Sequence, residues 1–195
     1  MAGMISEKRK ANLAVLASGS GSNLASLISA VNQGIIDNAR ISLVISNKQS
    51  AYALQRAREA EIPAINLKRS EFANDEAFDA EIVRWLRKYD IDVVLLAGYL
   101  RILTAPLLES YSNRILNIHP SLLPDFGGVG MYGIKVHEAV INAGVAKSGC
   151  TIHLVNKTVD GGPILSQAEI PVLPDDTAHT LAERVLKEEH KLYPA

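Results

Sequence analysis

Asn117 and His119 stand two residues apart in Asn117-Ile-His-Pro-Ser-Leu-Leu-Pro124. If the segment enters as a strand, alternation puts both side chains on one face. An amide donor beside an imidazole suits acyl transfer. The amide can stabilise an oxyanion, and the imidazole can move a proton. Pro120 and Pro124 end the strand and stiffen the chain beyond it. The same residues also read as a capped strand end with a satisfied core histidine, and both readings stay open at this level. Asp160, ahead of Gly161-Gly162-Pro163, is either an ordinary turn former or the carboxylate that orients His119. Only the fold can bring the two together.

A second candidate is the turn Gly19-Ser-Gly-Ser-Asn23, between an apolar run and an amphipathic one. Glycines let the backbone approach an anion, and the free N–H groups of a helix start favour a phosphate. Ser20, Ser22 and Asn23 could add donors. A tight turn with a Ser or Asn cap would look the same. A dinucleotide site is disfavoured: Leu24 occupies the third glycine position, and the second strand runs into Ser46-Asn47-Lys48 where an acid is wanted. No Walker lysine and no Gly-x-Ser-x-Gly elbow occurs. His137, His153 and His190 lack metal-ligand spacing, so a metal site is not expected. Cys150, near the start of a strand, reads as a packed residue.

The elements that must position these groups alternate. Strands are expected over 12–17, 41–45, 63–67, 91–97, 115–118, 151–155 and 164–172. Helices are expected after residue 22, with Leu24, Leu27, Ile28 and Val31 on one face, and over 51–60, 76–89, 134–143 and 177–192. Such alternation means an α/β fold with a parallel sheet and right-handed crossovers, and the last two strands suggest a mixed sheet toward the C-terminus. The chain has 195 residues, 48% hydrophobic and 21% charged, which suits one domain with its own core. A net charge of −1 offers no global basic field for nucleic acid. No apolar run is long enough for a membrane span, and the polar start has no signal-peptide core. One cysteine excludes an internal disulfide and fits a reducing compartment, so a cytoplasmic location is expected.

Seven segments, in one order along nearly the whole chain, carry a family resemblance. They are Ala17-Ser-Gly-Ser-Gly-Ser-Asn-Leu24, Ser46-Asn-Lys48, Leu96-Ala-Gly-Tyr-Leu-Arg-Ile-Leu103, Leu116-Asn-Ile-His-Pro-Ser-Leu-Leu-Pro124, Ser148-Gly-Cys-Thr-Ile-His153, Val159-Asp-Gly-Gly-Pro163 and Glu188-Glu-His-Lys-Leu-Tyr-Pro194. The chain resembles the folate-dependent phosphoribosylglycinamide formyltransferases of purine biosynthesis. The resemblance implies a single formyltransferase domain over 1–195 with a Rossmann-like, mostly parallel twisted sheet flanked by helices. Residues 1–11 would be a flexible extension, and the chain stops where relatives usually continue. The implied reaction moves the formyl group of 10-formyltetrahydrofolate to the amine of 5-phosphoribosylglycinamide, with no metal.

Residue by residue, the resemblance implies that Gly21, Ser22 and Asn23 hold the phosphate and Glu189 meets the glycinamide end. Leu100, Arg101, Ile102 and Leu103 would line the folate pocket, Arg101 through its backbone. Asn156, Lys157, Thr158, Val159 and Asp160 would form the loop against the pterin. Asn117, His119 and Asp160 would be the catalytic trio, Asn117 also touching the cofactor, with Asp160 raising the pKa of His119 and favouring its charged form. The partners would be these two small molecules, with no nucleic acid or membrane, in a monomer or homodimer. Formyltetrahydrofolate hydrolases and methionyl-tRNA formyltransferase share the scaffold, but they carry an additional N-terminal regulatory or C-terminal RNA-binding domain. Two stretches depart from the family pattern. Asp75 stands where many relatives have an arginine that meets the folate tail, and Asp125-Phe-Gly-Gly-Val-Gly-Met-Tyr132 is unusually rich in glycine.

Overall fold

The computed structural model describes residues 9–195. The proposed N-terminal extension therefore lies, up to residue 8, outside the described residues. Its boundary at 11 falls inside the first strand, since Ala11 already pairs with Ala39. The strands are β1 (Ala11–Leu16), β2 (Ala39–Ser46), β3 (Ala64–Asn66), β4 (Val93–Leu96), β5 (Ile115–His119), β6 (Lys147–Leu154) and β7 (Ile164–Pro171). The helices are α1 (Ser22–Asn32), α2 (Tyr52–Glu59), α3 (Asp75–Lys88), α4 (Ala105–Ser110), α5 (Ile134–Ala143) and α6 (Ala178–Leu192). They form one seven-stranded sheet in the order β3-β2-β1-β4-β5-β6-β7. The first five positions run parallel, while β6 and β7 add antiparallel neighbours.

Alternation along β1 builds two cores from one strand. Leu13, Val15 and Ala17 face a cluster with Leu24 and Leu27 of α1, Val140 of α5, and Leu181 and Val185 of α6. Ala14 and Leu16 face Phe78, Ile82 and Leu86 of α3 and Leu107 of α4. Both faces of the central strands are thus covered by helices, which is why those strands read as continuous apolar runs. Fully burying one such aliphatic side chain stabilises the fold by roughly 1.5–3 kcal/mol.

Local signals set the helix limits. The Asn74 side chain accepts from the Ala77 N–H, Asp75 and Glu76 occupy the first turn of α3, and Arg87 and Lys88 the last. That charge order matches the helix dipole. Thr177 and Thr180 cap α6 reciprocally. Two features differ from the sequence expectation. The helix α4 has only six residues and opens on a proline, too short to show a period. The strand β6 begins at Lys147 rather than 151, because Ser148, Gly149 and Cys150 are buried against β7.

Gly149 explains how β6 and β7 approach. A Cβ there would stand 1.9 Å from the Ala168 carbonyl oxygen. Gly149→Ala is expected to destabilise the protein by about 1–3 kcal/mol through overpacking. The measurement is the denaturant midpoint, and an unchanged midpoint would mean that β7 moves aside at no cost.

Candidate active site

The sheet reverses its winding at β1, with β2 and β3 to one side and β4 and β5 to the other. Open α/β sheets bind ligands at this switch point, beyond the carboxyl ends of the strands. The β1 loop crosses it as Ser18-Gly-Ser-Gly21. Gly21 has φ +70, and a Cβ there would sit 2.7 Å from the Ala53 Cα. No side chain caps the start of α1, so its first N–H groups are open to an anion. Ser18 ties three loops together. Its hydroxyl donates to Asn47 Oδ1 (2.7 Å) and accepts from the Leu100 N–H (2.9 Å). The far end of the β4 loop is held by Asp79, which accepts from the N–H and hydroxyl of Thr104. Burial pushes the pKa of Asp79 up.

The centre of the site grows from strand pairing. Asn117 lies opposite His153, and His119 opposite Thr151. The Asn117 amide nitrogen is 3.0 Å from His153 Nε2, and His153 Nδ1 is 3.0 Å from the Leu154 carbonyl. The carbonyl can only accept, so Nδ1 carries the proton and Nε2 accepts from the amide. One hydrogen of Asn117 is thereby occupied, and the other is left for the cavity. His119 Nε2 donates to the Phe126 carbonyl (2.9 Å), and its Nδ1 lies 3.5 Å from Asp160 Oδ2. Asp160 also accepts from the Gly128 N–H (3.0 Å), and its other oxygen is 3.6 Å from His153 Nε2.

The electrostatics correct one expectation. The pKa of His119 is lowered below its ordinary value, not raised. Burial is the larger effect; Asp160 and the Phe126 carbonyl push it back up without cancelling it. The pKa of Asp160 is lowered, because His153, His119 and the Gly128 N–H together outweigh its burial. The resting pair is therefore a neutral imidazole beside a carboxylate.

These groups line one cavity of about 700 Å³. Its lining includes Gly19 to Asn23 and Glu189, the apolar Leu100, Ile102 and Val129, and Asn117, His119, Val159 and Asp160. Asn23 donates to Glu189 Oε2 (2.6 Å), and burial pushes the Glu189 carboxyl up to about 7. Burial likewise lifts the Cys150 thiol to about 12, which leaves no nucleophile there. Five of the expected site residues do not line the cavity. Arg101 turns its guanidinium to Asp75 (2.5 Å) and the Phe78 ring, and Leu103 is buried in the core. Asn156, Lys157 and Thr158 are exposed on the β6–β7 loop. Asp75, at the position that departs from the family pattern, is held by Arg69 and Arg101 together.

Two histidines passed over in the sequence belong to this site. His153 holds Asn117 and approaches Asp160. His137, on α5, lines the cavity and is buried. The register of an antiparallel pair, which brings His153 to Asn117, is not written in either strand alone. Glu189 did leave a sequence signal, falling at the spacing of Leu181 and Val185 on the buried stripe of α6. Among the described residues, no group of three His, Cys, Asp or Glu could hold a metal ion. No helix among them is long and apolar enough to cross a membrane.

The family described as formyl transferase matches residues 11–195. A phosphoribosylglycinamide formyltransferase of Haemophilus influenzae is 41% identical over 93% of this chain and 83% of its own. A trifunctional purine biosynthetic protein adenosine-3 of Drosophila melanogaster is 44% identical over 98% of this chain, which spans only 14% of that protein. The chain likewise spans 64% of a chloroplastic phosphoribosylglycinamide formyltransferase of Arabidopsis thaliana. Among solved structures, the glycinamide ribonucleotide transformylase 1 of Symbiobacterium toebii superposes with a TM-score of 0.92 at 40% identity, covering 99% of this chain and 88% of that one. With its sheet order, its cavity and these matches, the chain belongs to the formyl transferase family.

Proposed function

We propose that this chain transfers the formyl group of 10-formyltetrahydrofolate to the amine of 5-phosphoribosylglycinamide, a step of purine biosynthesis. One observation carries the reading: a single cavity joins an uncapped helix start to Asn117, His119 and Asp160. A phosphate at the Gly21 turn would anchor one substrate, and Glu189 would face its amine end. The apolar walls at Leu100 and Ile102 suit a flat ring system, and the volume lies within the usual range for such ligands. The folate supplies an activated formyl carbon when bound.

The residues of the chain then divide the work. Asn117 donates its free amide hydrogen to the oxygen on which negative charge develops. His119 is neutral, and its Nδ1 is bare, so it can take the proton that the attacking amine must lose. That proton would arrive beside Asp160, which stabilises the imidazolium without being protonated itself, and would pass on to the folate nitrogen as its bond to the formyl carbon breaks. The Phe126 carbonyl holds the other nitrogen, so the ring is fixed at both ends. Every group named lies on one chain, so the reaction can run in a monomer or in each half of a homodimer. Residues 9–195 act as one domain on small molecules, and the single buried Cys150 suits a reducing cytosol.

The deciding assay compares transfer to 5-phosphoribosylglycinamide with hydrolysis of the formyl donor alone. Hydrolysis without transfer would assign the site to a hydrolase instead. His119→Ala and Asn117→Ala are each expected to fold and to lose about 10²–10⁴ in turnover. A variant keeping more than about a third of wild-type kcat would take that residue out of the reaction.

Asp160→Asn should lower turnover sharply in a folded protein. It should also lower the His119 pKa further, since removing an anion destabilises the imidazolium. NMR titration of the imidazole reads this, and identical titrations would make Asp160 a turn residue only. Because burial lowers the His119 pKa in the wild type, its acid limb of kcat/KM should lie below the ordinary histidine value of 6.5.

Ser22→Ala should weaken binding of 5-phosphoribosylglycinamide and leave folate binding nearly unchanged. A lost hydrogen bond to a charged group costs roughly 1.5–3 kcal/mol. Calorimetry showing equal weakening toward both ligands would move the phosphate elsewhere.

A further inference from the structure

The helix α5 buries Val136, His137 and Val140 on one face. Two of these are core residues with no other task. His137 is only 4% exposed, yet it lines the reactive cavity. It stands close enough to His119 that charge on either opposes charge on the other. Unlike His119, it has no carboxylate beside it, and its Nδ1 is buried with no hydrogen-bond partner among the described residues.

That orphaned nitrogen decides the tautomer. A neutral imidazole carries one N–H and one bare nitrogen. Buried donors without partners are rarer than buried acceptors without partners. The proton therefore belongs on Nε2, the nitrogen left for the cavity. We propose that His137 is a further catalytic residue, a neutral Nε2–H donor that, together with Asn117, binds the formyl oxygen as negative charge develops on it. This rests on the formyl-transfer reading above.

Burial, with His119 adding to it, pushes the His137 pKa down to about 4. The ring thus stays neutral at neutral pH. The two imidazoles have different tasks for a physical reason. His119 has Asp160 to stabilise a received proton, whereas His137 faces no carboxylate and only the His119 ring, so it can offer a fixed dipole.

The first test needs no substrate. Long-range ¹⁵N NMR of the imidazoles between about pH 5.5 and 8 should show His137 neutral throughout with its proton on Nε2, as a depressed pKa requires. An imidazolium in that range, or a proton on Nδ1, would overturn the proposal. In the second test, His137→Phe keeps the volume and removes the donor, and should cost about 10²–10³ in kcat. The KM of both substrates should stay within about threefold, because the bond strengthens only as charge develops. His137→Gln places an amide N–H near the same point and should recover part of the loss. Undiminished kcat in His137→Phe, or a loss confined to KM, would reject the catalytic role. If the wild-type protein itself transfers no formyl group, the proposed function fails. If it does and His137→Phe matches it, only this inference fails.

Discussion

Asp160 is a largely buried carboxylate, and such a charge survives only where its surroundings answer it. The Gly128 N–H donates to it at 3.0 Å, His119 Nδ1 at 3.5 Å answers it once that ring takes a proton, and His153 Nε2 lies at 3.6 Å. Each belongs to a different part of the chain, so the carboxylate binds β5, β6 and the glycine-rich loop to one point. Asp160 itself holds a left-handed φ of 53. A non-glycine residue there carries strain of order 1–3 kcal/mol, which persists only where the surroundings over-determine it. The neighbouring loop shows the same pattern, since Phe126 has φ 56 and offers its carbonyl to His119.

The opposing pulls on His119 follow from this arrangement. Burial alone would keep the ring neutral and inert. The carboxylate alone would favour the charged ring. Together they leave an imidazole that is neutral at rest and has a stabilised place for one more proton. The general base proposed here would need that balance, because it must first lack the proton and then hold it. Asn117 is treated differently: His153 takes one of its two amide hydrogens and thereby aims the other.

At the Gly21 turn, the constraints come from packing. Gly21 lies against Ala53, so the turn at the start of α1 is pressed onto α2. The Asn23–Glu189 bond then joins α1 to α6 across the cavity wall. The α6 helix is itself anchored by Tyr193, whose buried hydroxyl donates to the Leu96 carbonyl at the end of β4. Both helices pack into the same core as β1.

The sequence by itself determined the alternating elements, because a buried parallel strand must be apolar on both faces and a covering helix on one. It also singled out the Gly21 turn and the Asn117–His119 pair, since each depends on local backbone geometry and short spacing. The six-residue α4 and the early start of β6 escaped it, as neither has room for a period. Tertiary structure alone brought two further histidines to the site. His153 acquires its partner from the antiparallel register of β6 on β5, and His137 its place from the docking of α5 over the cavity. It also reversed the expected pKa shift of His119: a nearby carboxylate can be guessed from a motif, but the depth of burial that outweighs it depends on every element packed around the ring.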